Sequence, residues 1–442
     1  MPNDFSSTSY SALSPGSLPL STPALAASYA ELLERFGSPL FVYDADVISA
    51  RYRQLRGGLP ADVDIYYSLK ANPNVSVCAH LGRLGAGAEV SSLTELRTAL
   101  WAGIPHHKII FLGPGKSEAE LTACVEWNVG AVIVESLDEL FDLDRIARER
   151  GVDHVDALIR INPDFAAKSS GLTMGGKPRQ FGIDVSAVLA AAVLLKSLEK
   201  VRVRGLHAYL GTRFLDYREI VRNTENILKT AETLKQALDI PLDTVDFGGG
   251  FGIAYFDNET DLDVDSLLPE LAALIDAFVA ANPGSRLITE QGRFLTAESG
   301  SYLVKVRYIK ESMGEKFAIA DGGTNHHMAA VGIGSFVKRN YPIVSFTDGS
   351  SGAEEHATVT GPLCTPNDVI GKRVLLPKIR RGDVLGIRRS GAYGLTASPG
   401  LFLGHGFPAE VLILDGTPHL IRRRDTVDDL LSHQVLAQPF TA

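Results

Sequence analysis

Lys70 closes the apolar run Ile65-Tyr66-Tyr67-Ser68-Leu69-Lys70-Ala71-Asn72-Pro73. A lysine at the end of a buried strand is costly unless its charge is removed or paired. Partial desolvation is also what a Schiff-base lysine needs, because it lowers the amine pKa and frees the lone pair. The plainer alternative is a lysine just past a strand end, with its ammonium in water. Gly248-Gly249-Gly250 directly follows Thr244-Val245-Asp246-Phe247. Backbone N–H groups without Cβ atoms can close on an anion there, or the triplet is a sharp strand-to-helix turn. Glu290-Gln291-Gly292-Arg293 sets a carboxylate and a guanidinium three residues apart. The pair suits a protonated ring nitrogen and a phosphate, or simply a local salt bridge. His207 and Tyr209, two apart, read as strand neighbours pointing to one side. One of them can stack on a planar ring, or both can fill a barrel.

Three later segments carry reactive side chains. Asp321-Gly322-Gly323-Thr324-Asn325-His326-His327 follows a strand-like run. Adjacent histidines point apart on extended chain, so no metal site is expected from them. Gly361-Pro362-Leu363-Cys364-Thr365-Pro366-Asn367-Asp368 puts a cysteine in a turn-rich loop, and Ser390-Gly391-Ala392-Tyr393-Gly394 puts a tyrosine between glycines. The tyrosine hydroxyl can reach a phosphate. The alternatives are a small buried thiol and an exposed turn aromatic. Cys78, Cys124 and Cys364 form neither a disulfide nor a metal pattern.

The elements that must position these groups follow an alternating plan. Strand-like runs at Val63–Lys70, Gly87–Ser91, Lys108–Gly113, Ala131–Ser136, His154–Asn162, Val201–Gly211, Thr244–Gly250 and Arg286–Gly292 are spaced by amphipathic stretches. The spacing predicts helices such as Leu93–Ala102, Leu137–Arg150, Val185–Leu198, Tyr217–Leu238 and Val264–Ala281. Eight such units predict an α/β fold, a (β/α)8 barrel with its chemistry at the carboxyl ends of the strands. Those ends collect Lys70, Glu89, Lys116, Glu135, Arg160, Asn162, His207, Tyr209, the glycine triplet and Glu290 to Arg293. A doubly wound open sheet is the competing fold, weakened because no Gly-x-Gly-x-x-Gly follows the first strand. After Arg293 the pattern turns to strands with few helices, which predicts a C-terminal all-β domain. The expected division is a flexible tail over 1–25, a segment 26–44 joining the β domain, the barrel over 45–296, the β domain over 297–432 and a tail over 433–442.

The chain has 442 residues, 45% hydrophobic and 21% charged, with a net charge of -9. That balance argues against nucleic acid and against an anionic membrane surface as main partners. No uncharged apolar stretch is long enough to span a bilayer, and a reducing cytoplasm fits the cysteine usage.

Lysine, phosphate cradle, ring-nitrogen carboxylate and stacking aromatic together describe a site for pyridoxal 5′-phosphate. From about Pro39 to Leu430 the chain resembles the fold-type III decarboxylases, the group of diaminopimelate and ornithine decarboxylases. Tyr67-Ser68-Leu69-Lys70-Ala71-Asn72, Phe247-Gly248-Gly249-Gly250-Phe251, Glu290-Gln291-Gly292-Arg293, Gly361-Pro362-Leu363-Cys364 and Gly391-Ala392-Tyr393-Gly394 resemble the family's motifs in family order. Gln291 stands where the family has proline. The resemblance implies that Lys70 carries the cofactor and that Glu290 faces its ring nitrogen. It implies that Gly249, Gly250, Gly292, Arg293 and Tyr393 surround the phosphate, with Glu89, His207 and Tyr209 around the ring. It also implies that Cys364 returns a proton from the other subunit, so that a homodimer shares its sites.

Departures bear on the substrate. Tyr209 replaces the family's ring-stacking histidine, and Thr365 replaces the acid that usually follows the cysteine. Asn325, His326, Lys338 and Arg339 lie in segments that depart from the family pattern, and are the expected surroundings of the substrate's far end. These features resemble the branch that decarboxylates conjugated amino acids, either carrier-protein-bound aminoacyl groups or citrate conjugates in siderophore assembly. The expected reaction is decarboxylation of an L- or D-amino-acid α-carboxylate in specialised metabolism. The competing readings are diaminopimelate decarboxylation in lysine biosynthesis, an amino-acid racemase on the same fold, and a non-enzymatic cofactor-binding relative.

Overall fold

A computed structural model describes residues 23–165, 172–173, 175–176, 178–331, 339–346 and 353–437. Eight parallel strands close into a barrel: β2 (Val63–Ser68), β3 (Gly87–Val90), β4 (Ile109–Phe111), β5 (Ala131–Val134), β6 (Val155–Asn162), β9 (Val201–His207), β11 (Thr244–Gly249) and β12 (Arg286–Gln291). Each pairs with the next, and β12 returns to β2 through Thr289↔Ile65 and Glu290↔Tyr66. Two-residue strands β7 (Leu172–Thr173), β8 (Ile183–Asp184) and β10 (Gly211–Thr212) decorate the ring. The strands read as continuous apolar runs because helices cover their outer faces.

The local signals are ordinary capping chemistry. Ser92, Ser117 and Ser136 accept from the N–H three residues on, each starting a helix after a barrel strand. The helix expected over Val185–Leu198 forms as two short pieces, Val185–Ala190 and Ala192–Leu195. β9 ends at His207, so Tyr209 stands beyond the strand rather than on it.

The second sheet is formed by β1 (Leu40–Asp44), β13 (Gly300–Ser312), β14 (Glu315–Ala320), β15 (Ile343–Ser345), β16 (Glu354–Thr360), β17 (Val369–Pro377), β18 (Val384–Arg388), β19 (Ala409–Leu414) and β20 (Thr417–Arg422). β1 precedes the barrel in sequence yet lies in this sheet, antiparallel to β13 and parallel to β19. A helix over Pro23–Phe36 begins inside the stretch expected as a tail. Its Tyr29 and Leu33 pack with Leu40, Leu303 and Val411, and that apolar burial anchors it. Lys338 lies outside the described residues.

Candidate active site

Lys70 sits in a single 3-10 turn, Leu69–Ala71, that follows β2 at the barrel's carboxyl face. Its Nζ donates to Glu89 Oε2 at 2.8 Å. Glu89 is 1% exposed, whereas the Lys70 side chain keeps 37% of its surface at the pocket mouth. The sequence expectation of a depressed amine pKa is corrected here. Burial alone would lower it, but the nearby Glu89 and Glu290 carboxylates outweigh that and raise it. Lys70 is therefore an ammonium held by two acids.

Lys70 shares its pocket with Ser68, Tyr209, Thr212, Gly250, Phe251, Glu290, Gln291, Gly292, Arg293 and Tyr393. Four separated strand ends and one β-domain loop thus converge, with the Tyr393 N–H bonded to the Ala71 carbonyl at 2.7 Å. Lys70 Nζ is 5.8 Å from the Tyr209 ring centroid. Burial pushes the Tyr209 phenol up to about 12, so the ring stays neutral. A larger cavity of about 230 Å³ lies behind Ala71–Asn74, between Tyr43, Phe407 and Glu410. The Lys70 pocket, not the larger cavity, gathers the lysine, acid, arginine and tyrosine, and it is the candidate site.

Glu290 is 2% exposed and bonds the fully buried His207, Oε1 to Nε2, at 3.2 Å. Although burial raises a carboxyl, the contact with His207 and the nearby Lys70 and Arg160 cations lower Glu290 to about 2. Its Oε2 is buried with no hydrogen-bond partner. Asp246, 0% exposed on β11, is pushed up by burial and by Glu290. Ligand atoms of His207, Asp246 and Glu290 all lie within 4.8 Å of one another.

Arg293 donates from Nη1 to the Tyr255 hydroxyl at 2.9 Å, and its guanidinium stacks 4.5 Å from the Tyr393 ring. Its Nε is buried without a partner. Tyr255, 1% exposed, stacks on Tyr341 at 4.5 Å. The glycines serve packing as well as access. A Cβ on Gly249 would strike the Glu290 carbonyl, and one on Gly250, at φ +87, the Gly211 carbonyl. At Gly292 it would sit 2.9 Å from Ala71 Cβ. Two orphaned buried groups, an acceptor on Glu290 and a donor on Arg293, therefore flank a lysine. That donor set fits the ring nitrogen, phosphate and aldehyde of pyridoxal 5′-phosphate.

The structure does not bring every expected residue together. Cys364 is exposed and Thr365 half-buried in the loop between β16 and β17, and neither lines the Lys70 pocket within one chain. Asn325 and His326, expected around the substrate's far end, do not line the Lys70 pocket either. They are 0% and 4% exposed, and the His326 ring nitrogens bond the Tyr302 hydroxyl and the Gly406 carbonyl. The polar run that looked like a loop rim folds under Tyr302 instead. Arg339 is exposed and bonds Asn258 Oδ1 at 2.6 Å. Sequence reasoning missed Tyr255 and Asp246. An acid inside the apolar run Val245-Asp246-Phe247 was the available signal for the latter.

Residues 45–297 match the family described as pyridoxal-dependent decarboxylase, pyridoxal binding domain. An L-glutamyl-BtrI acyl-carrier protein decarboxylase from Niallia circulans is 38% identical over 408 residues, 91% of this chain and 95% of that one. Diaminopimelate decarboxylase from Aquifex aeolicus is 32% identical over 406 residues, 91% of this chain and 92% of that one. The crystal structure of diaminopimelate decarboxylase from Helicobacter pylori with L-lysine superposes at a TM-score of 0.83, with 28% identity, covering 91% of this chain and 98% of that one. No helix among the described residues is long and apolar enough to cross a membrane. The chain belongs to the pyridoxal-dependent decarboxylases, and pyridoxal 5′-phosphate is its cofactor.

Proposed function

We propose that this enzyme removes the α-carboxylate of an aminoacyl group tethered to a carrier protein, and that it works as a homodimer with shared sites. The observation that carries the reading is Thr365, an uncharged residue directly after Cys364, where a basic diamino substrate would want an acid. The relative that acts on a carrier-linked glutamyl group supports it. Citrate-conjugated amino acids are the competing substrates of the same branch.

When bound, the cofactor supplies an electron sink for the bond that breaks. Lys70 would hold it through the Nζ that Glu89 orients. Glu290 keeps a negative charge opposite the ring nitrogen. Arg293, the N–H groups of Gly249 and Gly250, and the Tyr393 hydroxyl bind the phosphate. Tyr209 covers the ring and narrows access for water. Cys364, exposed in its own chain, reaches the pocket of a second copy and returns the proton to carbon. Arg339 offers a guanidinium to the phosphate of a carrier's prosthetic arm.

The test compares CO2 release from a glutamyl-loaded carrier protein, citryl conjugates, free diaminopimelate, lysine and ornithine. Faster turnover of a free diamino acid overturns the substrate assignment. Exchange of the α-hydrogen without CO2 release would assign a racemase instead.

A further inference from the structure

We propose that Asp246 is a positioning residue for Glu290: it stays un-ionised in the barrel interior and donates its carboxyl proton toward Glu290, keeping that carboxylate a weak base. The inference rests on the assignment of Glu290 to the cofactor's ring nitrogen.

The geometry begins with β11. Asp246 pairs with His207 across β9, and its backbone carbonyl accepts from the Ala208 N–H at 2.9 Å. The β11–β12 register is broken between Asp246 and Gly249. In that break the Gly248 N–H turns to Asp246 Oδ1 at 2.8 Å, at a φ of +68 that glycine tolerates. One Asp246 oxygen is thereby fixed. The other, Oδ2, is buried with no partner, as are Glu290 Oε2 and His207 Nδ1.

Two carboxyls this close and this dry cannot both ionise. The groups that face them decide which one does. Glu290 receives His207 from β9, Lys70 from the turn after β2 and Arg160 from β6. Asp246 faces Glu290, Glu89 on β3 and Tyr66 on β2, all of which disfavour its ionised form. The proton therefore resides on Asp246. As a neutral acid it is a hydrogen-bond donor, and its free oxygen can carry that proton. A carboxylate that already accepts a hydrogen bond is a poorer base. A proton shared with a ring nitrogen then stays on nitrogen, which is what the electron sink requires. The same three ligand atoms are close enough for a metal ion, and a metal would demand an ionised Asp246.

The test has two readouts independent of turnover. Infrared spectra of the cofactor-free protein at neutral pH should show a protonated carboxyl stretch that Asp246→Asn removes. With cofactor labelled at the ring nitrogen, nuclear magnetic resonance should show a protonated nitrogen in wild type and in Asp246→Asn, whose amide still donates. Asp246→Val should move that resonance toward the unprotonated position and weaken cofactor binding about tenfold. Absence of the carboxyl band, its survival in Asp246→Asn, or stoichiometric metal in the purified protein overturns the proposal. A resonance unchanged in Glu290→Gln overturns the Glu290 assignment itself. A Glu290-dependent resonance that ignores Asp246→Val overturns only the role of Asp246. Should Asp246→Val fail to fold, the isosteric Asp246→Asn and its infrared band decide.

Discussion

Lys70 Nζ lies 2.8 Å from Glu89 Oε2, bridging the carboxyl ends of the neighbouring strands β2 and β3. The pair gives the lysine two separable tasks, neutralising a buried acid and holding the cofactor. Lys70→Ala should abolish CO2 release and the protein-bound absorbance of the cofactor. It should also cost about 1–3 kcal/mol of stability, because Glu89 is left buried and the lysine's partial exposure softens the penalty. Lys70→Arg should restore most of that stability and none of the activity. Chemical denaturation beside the decarboxylase assay separates the two tasks. Undiminished turnover in Lys70→Ala would sink the role of Lys70 as anchor.

Arg293 is fixed by Tyr255, whose hydroxyl accepts its Nη1 donor. Tyr255→Phe keeps the stack on Tyr341 and deletes only that hydrogen bond. A bond to a charged group is worth about 1.5–3 kcal/mol, so the cofactor's dissociation constant should rise at least about tenfold. Fluorescence titration of the cofactor-free enzyme reads it directly. An unchanged constant would mean that Tyr393 alone positions the guanidinium.

The barrel was legible because apolar runs and amphipathic stretches alternate eight times, and parallel strands need such crossovers. Lys70, Glu290 and Arg293 were legible because charged residues at apolar strand ends are costly. Their shared pocket confirms that these groups meet. Three things were hidden. The bulge at Gly248, which turns the Asp246 carboxyl onto its own strand, leaves no trace in a period-2 pattern. Asn325 and His326 look polar and exposed in sequence, yet Tyr302 and the Gly406 carbonyl satisfy the imidazole and allow burial. Cys364 lies on the surface of its own chain, where neither burial nor a local partner marks it out.

His326 and His327 should make stability fall in acid. Burial depresses them to about 4 and about 3 from an ordinary 6.5. The His327 Nε2–H faces Ser390 Oγ at 2.9 Å, and its other nitrogen is buried without a donor. Between pH 6.5 and those values the unfolded chain binds protons that the folded chain refuses. Stability is therefore full above about pH 6.5 and lost as pH falls. Each histidine contributes a slope of about 1.4 kcal/mol per pH unit. Urea denaturation from pH 7 to pH 5 should show the decline, and His327→Asn should remove one proton's share. An identical slope in the variant would place the acid sensitivity elsewhere.

The proposed sharing of sites between two copies makes a quantitative expectation. Cys364→Ala should lower turnover by about 100-fold, the scale of a lost proton donor. Lys70→Ala and Cys364→Ala chains, dissociated and reassembled together, should regain roughly a quarter of wild-type activity, because half the dimers are hybrids and each hybrid holds one intact site. No recovery on mixing would confine each site to one chain.

Thr365 offers the sharpest handle on the substrate. A free diamino acid carries a distal ammonium, and desolvating that ammonium without an anion is costly. Threonine supplies a hydroxyl but no charge, whereas a tethered acyl group presents an amide or thioester that needs none. Thr365→Glu should therefore raise kcat/KM for free diaminopimelate about tenfold, the scale of one charge-assisted hydrogen bond. The same change should lower turnover of a glutamyl-loaded carrier, since the new carboxylate would be desolvated against a neutral thioester that offers it no counter-charge. The opposing directions matter more than either magnitude, because a variant that is merely damaged loses both activities. Parallel loss would remove Thr365 from the substrate's surroundings, and a wild type already faster on diaminopimelate would overturn the carrier-linked reading.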